Sequence, residues 1–199
     1  MTEIADTVSD AVAEGRRDRL NSTIAVVVAA TATFMALCNV KDGNVVQAMA
    51  QAQASAVDAW AYYQAKGTKQ NLAEATLDEL TLMRDLRPEL SAEARGRLDA
   101  KIAAYAANAK KYDAEKAEIK KTAEGFQSAY DRLNVRDDQF DLAEALISVS
   151  IAVFGVTALT RKRGLFVVGL VLAGLGVLFG LAGFLRWGLH PDFLTLLFS

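Results

Sequence analysis

The chain has one cysteine, one histidine and two prolines among 199 residues, and each shortage excludes something. A lone Cys38 rules out an intramolecular disulfide and leaves only pairing with the Cys38 of a second copy; the simpler expectation is a small residue in a helix contact. A Cys/His zinc centre or a thiol–imidazole nucleophile would need both Cys38 and His190, which lie near the ends of different apolar stretches. Two prolines and few turn clusters leave almost no room for a β-domain. Also missing are a phosphate-binding P-loop, a Gly-x-Ser-x-Gly elbow, a His-Glu-x-x-His zinc motif and any cysteine pair. Carboxylates scattered over helical faces are more often solvated surface than an acid–base pair, so the sequence predicts no enzyme, no cofactor and no metal. Basic residues within 97–121 alternate with Asp99, Asp113, Glu115 and Glu118, which leaves no coherent basic stripe for nucleic acid.

What the chain does have is three uncharged apolar stretches, Ser22–Val40, Ala145–Thr160 and Gly164–Leu185, of 19, 16 and 22 residues. As helices they measure roughly 28, 24 and 33 Å against a hydrocarbon core of about 30 Å. The 16-residue stretch is short for a span, so Glu144 is expected at the edge of the apolar layer, with Asp141 one turn before it on the same side. Both carboxylates are candidates for an ion, proton or lipid contact; the alternative is that both reach water at headgroup level. The residues before the first span carry Glu3, Asp6, Asp10, Glu14 and Asp18 and do not read as a signal peptide, so that span is expected to stay as an anchor.

Orientation follows from short basic segments near the spans. Arg16, Arg17 and Arg19 precede the first span, and Arg161, Lys162 and Arg163 link the second to the third. With three spans those segments share a side, taken as cytoplasmic. The expected division is therefore a cytoplasmic segment 1–21, a span 22–40, an extracytoplasmic helical region 41–140, a span 142–160, a basic turn 161–163, a span 164–186 and an apolar interfacial tail 187–199. Trp187 reads as an interfacial anchor, and His190 as a surface residue of that tail.

Between the first two spans, Leu98, Ile102, Tyr105, Ala109, Tyr112, Ile119, Ala123, Phe126, Tyr130 and Leu133 recur in steps of three and four, interrupted at Lys116. A seam of this period predicts a helix lying along another with a slight left-handed supercoil. Its expected partner is 44–87, where Val46, Met49, Val57, Trp60, Leu72, Leu80, Met83 and Leu86 form a looser apolar stripe. Pro88 disfavours helix at Arg87 and Ser91 suits an N-cap, so the chain is expected to reverse at 87–91. The fold class is thus an all-α membrane protein: three transmembrane helices with a long antiparallel, coiled-coil-like helical hairpin between helices 1 and 2. Breaks at Gly67-Thr68 and Gly96 would give a shorter bundle instead. Alanine-rich seams bury little area, so contacts with other copies or a partner are expected to stabilise the region.

Each span also carries small residues at three-four spacing: Ala25, Ala29, Ala32 and Ala36 in the first, Ala145, Ser148, Ala152 and Gly155 in the second, Gly169, Ala173, Gly176, Gly180 and Gly183 in the third. Such faces let helix backbones approach closely in lipid. Three of them either satisfy one another within one chain or build a larger oligomer.

The segment Ala56-Val57-Asp58-Ala59-Trp60-Ala61-Tyr62-Tyr63-Gln64-Ala65-Lys66, with Lys69 shortly after, and the segment Phe140-Asp141-Leu142-Ala143-Glu144-Ala145-Leu146 resemble an uncharacterised bacterial family, domain of unknown function 4337. The layout is similar too: basic N-terminus, span, helical region, then two spans joined by a basic turn. Asp137-Asp138-Gln139 stands where the family has a His-Asp-Arg-like lead-in. The resemblance implies a bacterial inner-membrane protein without an established reaction. Asp58, Tyr62 and Lys66 share one helical face, and Trp60, Tyr63 and Gly67 another; with Gln64 and Lys69 they make either a partner or headgroup surface or a buried aromatic and ion-pair knot. The functional expectation is a structural or interaction protein, in contact with membrane lipids, that self-associates or joins a larger membrane complex. A channel or transport component with Asp141 and Glu144 at its outer mouth is the alternative.

Overall fold

The computed structural model describes residues 2–189, with side chains from Arg19 onward; the tail from His190 lies outside the described residues. Among the described residues there are three α-helices, α1 (Thr2–Leu86), α2 (Ala92–Thr160) and α3 (Arg163–Leu185). Each is long and apolar enough in part to cross a membrane. The apolar stretches and the polar residues between them belong to the same unbroken helices: α1 continues through Gly67 and α2 through Gly96, so neither glycine breaks the chain. A single helix glycine costs only about 1 kcal/mol against alanine, which many neighbouring alanines and leucines offset.

The helix ends have local causes. α1 stops at Leu86, two residues before Pro88, and the Ser91 hydroxyl accepts from the Ala94 N–H at 3.2 Å, capping α2. α2 ends as Arg161 turns into the left-handed region at φ 57°, its N–H bonded to the Thr157 carbonyl. Arg163 is already helical, so the link to α3 is only Arg161-Lys162. Arg186 closes α3 the same way, at φ 58°, with the Trp187 N–H reaching back to the Ala182 carbonyl at 3.0 Å.

The chain divides into two compact units, one comprising residues up to Ala48 with those from Arg132 onward, the other Met49–Asp131. In the first, the small residues of α3 are buried: Gly169, Ala173, Gly176, Gly180 and Gly183. They meet large side chains rather than other small ones. Gly169 and Gly183 lie under the rings of Phe154 and Phe140, Gly176 under Ile147, and Gly180 under Phe34 and Cys38. Cys38 is free and buried. Ser150 donates to the Gly169 carbonyl at 2.8 Å. Phe184 stacks edge-on against Phe140, centroids 5.3 Å apart, and tilts toward Phe34. Ile24, Phe154 and Ala173 form a further core with Leu20, Val28 and Phe166 around it.

Of the two alternatives for the small-residue faces, this sets aside their packing on one another within one chain. Ala25, Ala29 and Ala36 are exposed, Ala32 is half-buried, and Ala145, Ser148, Ala152 and Gly155 are exposed. A glycine groove leaves a ring-sized gap that another small face would not fill, and close packing favours a large side chain in it. α1 and α2 therefore present Phe34, Phe140, Ile147 and Phe154 to α3.

In the second unit the α2 seam is the covered face. Ala109 and Ala123 are buried, and Leu98, Ile102, Tyr105, Tyr112, Lys116, Ile119 and Tyr130 half-buried, with Phe126 at the exposed margin. The expected stripe on α1 is its counterpart only in part. Met49, Trp60 and Leu80 are half-buried, but Val46, Val57, Leu72, Met83 and Leu86 are exposed, while Ala52, Ala56 and Ala73 are buried. Alanines permit the close approach that the larger residues would hold apart.

Candidate functional site

Two side-chain constellations stand out, one in each unit. In residues 49–131 the Trp-Tyr-Gln-Lys segment meets α2. The Lys66 ammonium forms an ion pair with Glu115 and lies 5.4 Å from the ring centroids of both Tyr62 and Tyr112. Lys116 stands 5.2 Å from the Tyr63 ring and donates to Gln70 Oε1 at 3.1 Å. Trp60 packs edge-on against Tyr63, centroids 5.6 Å apart. Two ammonium groups are thus held over ring faces, which their apolar stems and the ring quadrupoles both favour. The hydrogen bond from Lys66 raises its own pKa and lowers that of Glu115, keeping both charged.

Of the residues singled out in this segment, Trp60, Tyr63 and Lys66 are half-buried in the knot, whereas Asp58, Tyr62, Gln64 and Lys69 remain exposed. Lys66 takes Glu115, not Asp58, as its salt-bridge partner. The break in the α2 seam at Lys116 is part of the same arrangement, since its ammonium faces Tyr63.

The second constellation is acidic and lies in the first unit. Asp137, Asp141 and Glu144 occupy one face of α2, and Asp42 of α1 meets them. Burial pushes the Asp42 carboxyl up to about 6, reinforced by Asp137, Asp141, a hydrogen bond with Asp137, and Glu144. Asp42 Oδ1 is out of contact with solvent and has no hydrogen-bond partner. Asp137 is raised by burial, with the Asp42 bond opposing and Asp138 adding. Asp141, just ahead of the apolar stretch Ala145–Thr160, is raised by burial and by Asp137, Asp138 and Glu144. Glu144 itself is exposed and accepts from Asn39 Nδ2 at 3.4 Å. A carboxyl raised to about 6, as at Asp42, can release or take up a proton as pH passes through that range. Among the described residues no His/Cys/Asp/Glu group is arranged to hold a metal ion.

Asp42 and Asp137 were not anticipated as members of this cluster. Asp42 lies 95 residues before Asp137, and only the pairing of α1 with α2 joins them. Gln139 was also missed. It is fully buried, and its Nε2 donates to the Trp187 and Leu189 carbonyls at 2.8 and 2.6 Å. Arg136 Nε donates to the Gly183 carbonyl at 3.2 Å. Together they satisfy carbonyls at and beyond the end of α3 that have no partner within a helix.

The family model described as Domain of unknown function (DUF4337) matches residues 20–186. The chain belongs to the DUF4337 family. No curated protein and no solved structure matches it. The DUF4337 match takes in all three apolar stretches, both motif segments, the acidic face and the Arg161-Lys162 link.

Proposed function

We propose that this DUF4337 chain is a non-enzymatic interaction protein of the bacterial inner membrane, with its N-terminus cytoplasmic and 41–140 outside the cytoplasm. In this reading 44–86 and 92–140 are the arms of an antiparallel helical hairpin, and the hairpin binds a second copy of the chain. One observation carries the reading. Val57, Leu72, Leu82, Met83 and Leu86 are 61, 67, 60, 45 and 71% exposed, and at about 100° per residue they fall within an arc of about 100° on α1. Ala52, Ala56, Lys66 and Ala73, which are covered or paired, lie on the opposite side. An apolar stripe outside the spans, turned away from the α2-facing side, marks a surface that another helix covers. The outward Ala25, Ala29 and Ala36 face supports the same reading within the bilayer.

A channel reading draws on the acidic cluster at Asp42, Asp137, Asp141 and Glu144. It is the weaker one: of the polar side chains in the second span, Ser150 bonds to α3 and Thr157 and Thr160 to their own helix, which leaves little to line a path.

The test is the mass of protein extracted gently from its native membrane, with lipid and detergent accounted for. A discrete multiple of 21.4 kDa that falls to the monomer in Leu72→Glu/Leu86→Glu supports self-association through the stripe. A monomer, or one copy bound to foreign subunits, overturns it.

A further inference from the structure

We propose that the cleft between the start of the first span and the α2–α3 link binds the phosphate-bearing headgroup of an anionic phospholipid. The proposal rests on the reading of the chain as membrane-spanning and adds a ligand to it. The cleft has a volume of about 660 Å³ and brings together Arg19 of α1, Arg161 of the link and Arg163 of α3. Leu20, Phe166 and Val167 line it as well, and Leu20 and Phe166 also pack on the Ile24, Phe154 and Ala173 core. A site with three guanidinium groups at its rim and an apolar floor fits an amphiphile, with phosphate at the rim and acyl chain on the floor.

Three features of the backbone and charge distribution agree. Among the described residues, Arg19, Arg161 and Arg163 form no ion pair with a carboxylate. The first turn of α3 holds no acidic residue, and its N-cap Lys162 makes no side-chain cap, which leaves N–H groups and the positive end of the helix dipole directed to the same end. Arg161 adopts φ 57°, a conformation that glycine takes at no steric cost and other residues at about 1 kcal/mol or more. An arginine there retains a charge at a backbone position where glycine would be easier.

Guanidinium groups bind phosphate oxygens in pairs, and a lipid headgroup and free phosphate share that chemistry. The apolar floor favours the lipid, and basic clusters on the cytoplasmic side meet the anionic leaflet. In the orientation inferred from the basic segments, this end of the spans is cytoplasmic.

The experiment uses the full chain in neutral detergent, titrated with short-chain phosphatidylglycerol, phosphatidylcholine or inorganic phosphate. The expected result is preference for phosphatidylglycerol, weakened about fivefold by Arg19→Gln or Arg163→Gln and about 25-fold by both. Lys110→Gln, on the exposed surface of the other unit, leaves it unchanged. Arg161→Gly separates charge from fold: it should raise the thermal midpoint while weakening lipid binding. Equal affinity for both lipids, or an unchanged affinity in the double variant, overturns the proposal. Saturation by inorganic phosphate that abolishes discrimination between the lipids also overturns it, assigning the cleft to a soluble anion. Alkaline carbonate extraction of native membranes separates the two levels. Release of the chain sinks the membrane reading itself, whereas retention with no headgroup preference sinks only the cleft.

Discussion

Gly174 and Gly176 lie two residues apart on α3 yet should answer the same substitution oppositely. A Cβ at Gly176 would stand 2.6 Å from Ile147 Cγ1, 3.1 Å from the Ala143 carbonyl oxygen and 3.2 Å from the Ile147 nitrogen. The side-chain atom can swing away, but the two backbone atoms cannot yield without moving α2. Overpacking of this kind costs about 1–3 kcal/mol, against about 1 kcal/mol gained by replacing glycine with alanine in a helix. Gly176→Ala should therefore destabilise the bundle by up to about 2 kcal/mol. At Gly174 no atom lies within 4 Å of the added carbon, so Gly174→Ala should be neutral or stabilise by up to about 1 kcal/mol. The assay is reversible unfolding in bicelles or mixed micelles, followed by far-UV circular dichroism. Ile147 is itself fully buried, so Ile147→Ala should cost about 2–5 kcal/mol alone and less in the Gly176→Ala background, where it also relieves the side-chain contact. Equal shifts for Gly174→Ala and Gly176→Ala, or strict additivity of Ile147→Ala with Gly176→Ala, would refute the packing of α2 against α3 described above.

The Asp42 carboxyl, at about 6 against 3.8 for the free group, binds its proton more tightly in the folded chain, so stability should fall as pH rises from about 4 through about 6. Asp42→Asn should flatten that part of a thermal midpoint–pH profile and raise the midpoint at neutral pH; an unchanged slope would place the titration elsewhere. Lys66→Ala and Glu115→Ala should each lower the thermal midpoint, and the double variant should lose less than their sum; strict additivity in that cycle would mean the pair is uncoupled. Phe154→Ala, which empties the gap over Gly169, should cost about 3–5 kcal/mol, while Ser150→Ala should cost only about 0.6 kcal/mol, the average for a hydrogen bond between membrane helices. A reversed order would show that the hydroxyl, not the ring, holds α2 to α3.

The features legible in the sequence are those with local or periodic causes. Pro88 and Ser91 act within a few residues of themselves, and the interruption between α1 and α2 falls where they place it. The seam from Leu98 to Leu133 repeats often enough to reveal its face without knowledge of its partner. Apolar content alone places only part of the α1 face, Met49, Trp60 and Leu80, because Val57 and Leu72 look like core while Ala52, Ala56 and Ala73 carry little signal. Lys66 is open in the sequence between a partner or headgroup surface and an aromatic and ion-pair knot, and Lys116 reads only as a break in the seam; the facing Tyr112 and Tyr63 show why both sit inward. The matching of rings to glycines was hidden for a related reason: the third-span face was visible, but whether a small or a large residue lies opposite depends on the register between helices. Asp42 and Asp137 are ordinary surface carboxylates until α1 and α2 bring them together.

The glycine groove of α3 has an evolutionary consequence. A hole made by a missing side chain has no smaller state, so drift at Gly169, Gly176 and Gly183 can only fill it, whereas Phe154, Ile147 and Phe140 can exchange for other bulky groups. Divergence in the family should therefore be one-sided, with variable knobs opposite nearly invariant holes. Where a hole has been filled by alanine, the facing residue should be found reduced in the same sequence.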